Sequence, residues 1–194
     1  MLINSSRLAG CPILSLQVGG PVATVTREII DPRKLKIVGF FLVGPEVNGD
    51  TGNILRAEDS REFSNLGMIV DSSDIFTNEG EVKKLDEVIA LEFSMDGVRV
   101  ETKKGTKLGK VKEYTVDTTD FRILQITVKR PIMKSLIDPE LIISRKEIVE
   151  IKNDIIIVKD EEEKLKKKIM DIPAAERPEF VNPFRENGRY AKEK

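Results

Sequence analysis

Nine basic side chains fall between Lys103 and Lys134 against three acids, which gives that segment a charge of +6 in a chain whose net charge is −1. Lys103, Lys104, Lys107, Lys110 and Lys112 crowd its front. Lysines gathered on one β-surface can neutralise the phosphates of RNA or of an anionic membrane surface, releasing condensed counterions as they do so. The plainer reading of the same residues is a solvated strand whose edge they protect from unwanted pairing. No aromatic platform accompanies them, which weighs against sequence-specific reading of single-stranded RNA. Further on, Lys129, Arg130, Ile132, Met133 and Lys134 set two apolar residues in a charged loop, a composition suited either to docking a protein partner or to tucking Ile132 and Met133 under the β-unit. The last candidate is the C-terminal stretch, where Phe180, Phe184 and Tyr190 lie among Arg177, Arg185 and Arg189. Aromatic and arginine side chains anchor interfaces, so this stretch reads as a linear motif or as a solvated end.

Residues for bond-making chemistry are sparse. Histidine is absent, and Cys11 is the only cysteine. The commonest metal ligand and the side chain that titrates near neutrality are thus missing, and no intramolecular disulfide can form. Asp31 and Asp117 are a tempting acid–base pair, but each ends a strand, where aspartate favours turns. As partners they would have to converge on one pocket. No nucleophile elbow, phosphate-binding loop or dinucleotide fingerprint occurs, and Gly49-Asp50-Thr51-Gly52 reads as a turn. No catalytic residue, cofactor or metal is expected.

The elements that must position these groups come in two similar sets. With Val22 placed on Leu108, Val25 meets Val111, Asp31 meets Asp117, Leu35 meets Phe121 and Ile37 meets Ile123, all 86 positions apart. Val38, Phe40 and Leu42 then meet Leu124, Ile126 and Val128, and burial is expected for all six. Beyond the connecting loop the offset becomes 88, with Leu55 on Ile143, Asp59 on Glu147 and Val70 on Val158. A slip of one residue turns a whole strand to the wrong face, so this shared phase points to two copies of one β-unit. Strands are expected over 13–18, 22–30, 35–43, 53–55 and 67–70, and again over 98–102, 108–116, 122–128, 141–144 and 154–158. Between the copies, Val82, Leu85 and Val88 are spaced for one helical face, while 88–93 reads as a strand. The expected division is 1–78, 79–160 and 161–194, the last a charged helix followed by a flexible, proline-bearing tail.

Hydrophobic residues make up 40% of the 194 and charged residues 34%, as in a water-soluble protein with an adequate core. No apolar run reaches the roughly 18–20 residues that span a bilayer. The N-terminus lacks the basic and apolar blocks of a signal peptide. A cytoplasmic setting is the simplest expectation for a chain with one cysteine.

The second copy carries a resemblance. Gly105-Thr106-Lys107-Leu108-Gly109-Lys110-Val111 runs into Tyr114-Thr115-Val116-Asp117, then Ile123 to Val128, then Ile148-Val149-Glu150-Ile151. This pattern resembles the PRC-barrel family, named for the photosynthetic reaction-centre H subunit and found also in a ribosome maturation factor. The first copy departs from it, with Pro21 and Ala23 in place of Lys107 and Gly109. The resemblance implies an all-β fold of two tandem small PRC-barrel-like β-barrels. It also implies a non-enzymatic adaptor, with ribosome assembly or RNA processing as the leading setting. A membrane-proximal or division-associated scaffold that docks a protein partner is the alternative.

Overall fold

The computed structural model describes residues 1–47, 52–130, 140–152 and 155–160. Met1–Asp160 form one unit and Glu161–Lys194 another. The expected charged helix and tail, with Phe180, Phe184 and Tyr190, lie outside the described residues, as do Ile132, Met133 and Lys134.

Strands dominate, as the alternating apolar pattern requires. The first copy consists of β2 (Pro12–Ser15), β3 (Gly20–Asp31), β4 (Lys36–Val43), β5 (Ile54–Arg56), β6 (Glu62–Phe63) and β7 (Met68–Val70). The second consists of β8 (Arg99–Thr102), β9 (Lys107–Asp117), β10 (Arg122–Lys129), β11 (Glu140–Ser144), β12 (Ile148–Lys152) and β13 (Ile155–Val158). A 3-10 turn follows β5 at Ala57–Asp59 and another follows β11 at Arg145–Glu147. Outside the two copies lie β1 (Leu2–Asn4), which pairs with β9, the helix α1 (Lys83–Ile89), and 3-10 turns at Ser5–Arg7 and Ser73–Ile75.

Every ladder of the first copy recurs in the second. β2 pairs antiparallel with β3 and parallel with β7, and β8 does the same with β9 and β13. The β3–β4 and β9–β10 hairpins match rung for rung. Asp31↔Lys36, Glu28↔Phe40 and Val25↔Leu42 become Asp117↔Arg122, Tyr114↔Ile126 and Val111↔Val128. All thirteen strands belong to a single sheet, whose main path runs openly from β12 to β6. No closed barrel appears in this ladder among the described residues.

The copies meet where Lys36 pairs with Arg122. On either side of that rung, Ile37 N donates to the Phe121 carbonyl at 3.0 Å and Ile123 N donates to the Leu35 carbonyl at 3.0 Å. These two bonds exchange under the repeat, so a local two-fold axis passes between β4 and β10. Two further counterparts touch near this axis: the Tyr114 hydroxyl donates to Glu28 Oε1 at 2.5 Å. One continuous core spans both copies, from Ile13, Val25, Ile37 and Phe40 to Val116, Ile123, Ile126 and Val158. Within it Phe40 meets Phe121 edge to face, with ring centroids 5.3 Å apart.

Four expectations need correction. Val38 and Leu124 are only half-buried, and the neighbouring Ile37 and Ile123 are fully buried instead. Each is the extra residue of a β-bulge, between Ile37 and Gly39 and between Ile123 and Gln125, so the alternation skips one position there. Residues 88–93 form no strand, because α1 runs through Val88 to Ile89. The Leu85 and Val88 side chains bury against Ile29 and Ile54 on the outer face of the first copy. Gly39 lies beneath this contact, where a Cβ would crowd the Leu55 carbonyl oxygen at 3.1 Å and Ile29 Cδ1 at 3.3 Å. The strand expected over 13–18 stops at Ser15, where the chain turns early toward Gly19. Finally, Leu2–Asn4, Glu62–Phe63 and Ile148–Lys152 are strands the alternation did not reveal.

Candidate functional site

Three neighbouring strands of the second copy carry a row of cations. Arg99 on β8 pairs with Lys110 on β9, and Lys110 pairs with Lys129 on β10. Directly paired residues point to the same face, and all three side chains are exposed. The inner face alternates with them: Val100, Val111 and Val128 are buried. Adjacent strands lie about 4.7–4.9 Å apart, so the backbones that carry these charges stand one strand spacing from each other. Like charges directly opposite one another destabilise a sheet. Among the described residues no carboxylate forms an ion pair with any of the three.

Two local features shape this face. A Cβ on Gly109 would lie 2.1 Å from the Lys129 carbonyl oxygen, so glycine lets β9 and β10 close beside the row. Lys112 is the extra residue of a bulge between Val111 and Glu113. The bulge aims Lys112 Nζ at Glu140 Oε1, 2.6 Å away, and that carboxylate raises the lysine's pKa. Glu140 pairs with Lys129 across β10–β11 and closes the row on that side.

The other lysines of the basic segment are spread more widely. Lys103 and Lys104 sit exposed in the β8–β9 turn, which Gly105 allows with a φ of 79°. Lys107 faces Glu101 across the ladder, a pairing of opposite charge. Arg130 follows directly after β10, half-exposed. The structure thus selects Lys110 and Lys129 from the basic segment and adds Arg99, which sequence reading missed. Arg99 lies before the segment, and only the β8–β9 register joins it to the row. Its alternation with the buried Val100 was the available signal.

Asp31 and Asp117 do not converge. The rung through the two-fold axis reads Asp117, Arg122, Lys36, Asp31, across β9, β10, β4 and β3. Three strand spacings, about 14 Å, separate the carboxylates. Asp31 is 1% exposed and accepts from the Arg33 backbone N–H and Nε, each at 3.0 Å. Asp117 accepts from the Thr119 N–H at 3.0 Å, and that bond holds its pKa below the ordinary carboxylate value. Both are turn-closing residues, as the sequence suggests. Cys11 is buried, its Sγ 3.6 Å from the Pro12 carbonyl, and burial pushes the thiol pKa up. Among the described residues no three metal-ligating side chains come together, and no helix is long and apolar enough to cross a membrane.

Comparison with models of known protein families and with curated proteins gives no match.

Proposed function

We propose that the chain is a non-enzymatic adaptor built of two PRC-barrel-like units in tandem, whose second unit holds the phosphate backbone of RNA on the Arg99–Lys110–Lys129 row. The observation that carries this reading is the row itself. Three exposed cations stand on adjacent strands at one rung, none in an ion pair with a carboxylate of the described residues, and Glu140, which faces Lys129, bonds to Lys112 instead. Such an arrangement costs folding energy, and an external polyanion turns the cost into binding through counterion release. A line of charges one strand apart suits a line of phosphates better than a single headgroup does. The recurrence of every ladder, together with the Gly105 turn and the tight Gly109 position, supports the family reading on which the adaptor role rests. A ribosome-assembly or RNA-processing particle in the cytoplasm is the setting that follows.

The test is salt-dependent binding of single-stranded and duplex RNA to the full chain and to the K110E/K129E and R99E/K110E/K129E variants. Each cation withdrawn from a phosphate should lower the log–log salt slope by about 0.7 for single strands and about 0.9 for duplex. The triple variant should therefore lose a slope of roughly 2–3. Unchanged slopes would overturn the proposal. Binding of the parent to anionic vesicles but not to RNA, lost in the same variants, would favour a membrane-proximal scaffold instead.

A further inference from the structure

The fold builds one groove twice, and an arginine side chain of the chain itself reaches the crossing turn in only one of the two. In the second groove the Asp31–Lys36 turn of the first copy lies against Arg145 and Ile148–Ile151 of the second, around a cavity of about 350 Å³. In the first groove the Asp117–Arg122 turn of the second copy lies against Ala57 and Ser60–Phe63 of the first, around about 500 Å³. Much of the wall consists of counterparts, Pro32 and Leu35 corresponding to Thr118 and Phe121, and Ser60 and Phe63 to Ile148 and Ile151, while Met1 and Lys36 line the first groove alone. The decisive pair is Arg145 and Ala57.

In the second groove the Arg145 guanidinium clamps the crossing turn. Its Nη1 donates to the Leu35 carbonyl at 2.7 Å and to the Ile123 carbonyl at 3.3 Å, while Nη2 donates to the Lys34 carbonyl. The corresponding acceptors in the first groove are the carbonyls of Phe121, Ile37 and Asp120. The Phe121 carbonyl receives the Ile37 N–H, as the Leu35 carbonyl receives the Ile123 N–H. The methyl group of Ala57 offers no donor. Among the described residues no side chain donates to the carbonyl of Phe121 or Asp120. The rim also carries Glu62, exposed and outside any ion pair of the described residues.

We infer that the first groove binds a guanidinium supplied from outside the chain, an exposed arginine side chain of a protein partner. The arginine takes the position that Arg145 occupies in the other copy. Guanidinium suits the site because its planar fork offers several donors in fixed directions to carbonyls on one turn, whereas an ammonium is a single point of charge. This inference does not depend on the cationic row, which lies on the outer face of the second copy.

The experiment titrates the full-length, isotope-labelled protein with Nα-acetyl-arginine methylamide, and separately with the lysine analogue, following backbone amide shifts. A single side chain with a few hydrogen bonds should bind with a dissociation constant on the order of 1 mM. Saturable shifts should centre on Ala57, Phe121 and Ile37, with the lysine analogue at least about tenfold weaker. A57R supplies the guanidinium from within and should abolish the response. R145A provides an arm that does not require A57R to fold: it should open the second groove, adding saturable shifts at Leu35 and Ile123. Absence of saturable shifts in the parent, equal binding of lysine, or an R145A protein that gains no second site would each overturn the inference.

Discussion

Truncating Phe40 to alanine tests whether the two copies form one cooperative body. Phe40 is fully buried on β4, and its ring meets Phe121 of the other copy at 5.3 Å. Removing a buried phenyl ring typically costs about 3–5 kcal/mol, the residual cavity included. Loss of the edge-to-face pair accounts for about 0.5–1.5 kcal/mol of that. Total stabilities of about 5–15 kcal/mol leave F40A folded but strongly weakened. At about 2–4 °C per kcal/mol for a unit of this size, the thermal midpoint should fall by about 6–20 °C. F40L, which keeps most of the volume, should cost under about 1.5 kcal/mol. Urea unfolding should show one transition in both variants. Native-state hydrogen exchange should show the core amides of β10, in the unmutated copy, losing as much protection as those of β4. Two separate transitions, or unchanged protection in β10, would refute the shared core as the source of stability.

Three further outcomes are expected. Burial and the neighbouring Glu28 push the Tyr114 phenol far above its ordinary pKa; a group raised in the folded state keeps its contribution below the unfolded pKa, near 10, and loses it above. Stability should therefore fall by about 1.4 kcal/mol per pH unit above pH 10 relative to Y114F, read from urea midpoints, and parallel profiles would contradict this. G109A should destabilise by about 1–3 kcal/mol in the same assay, because the added Cβ collides with the Lys129 carbonyl at 2.1 Å; an unchanged midpoint would show that β9 and β10 separate freely. Cys11, 6% exposed, should resist iodoacetamide at pH 8 until urea unfolds the protein, as followed by mass spectrometry, with rapid native labelling the contrary result.

The repeat was legible because burial imposes its period on sequence. An inward position must be apolar in both copies, so Phe40 and Ile126 kept phase where identity was lost, and Val25 and Val111, and Ile37 and Ile123, kept both. Asp31 and Asp117 were legible as turn residues because their hydrogen bonds reach only two residues along the chain. Bulges were not legible, since an extra residue at Val38 or Leu124 changes the pairing without changing its apolar type. The β1 strand escaped because a three-residue strand is made by its partner β9 rather than by its own pattern. The helix over Val88 and Ile89 prevailed over a locally plausible strand because it covers Ile29 and Ile54, which are distant in sequence. The cation row and the Arg145 clamp depend on register and on contacts across 110 positions, which no local spacing encodes.

The Tyr114–Glu28 bond carries an evolutionary consequence. In a dimer of identical chains, a position beside the two-fold axis faces its own copy, so self-complementarity restricts it. Glutamate would meet glutamate and repel, and tyrosine would meet tyrosine with no carboxylate to receive its proton. Covalent duplication lifts that restriction, allowing donor to face acceptor at 2.5 Å. It also lets one groove keep alanine while its twin keeps arginine, and one outer face grow cationic while the other lies under a helix. A surface that a homodimer must display twice thus becomes two surfaces, each free to acquire its own ligand.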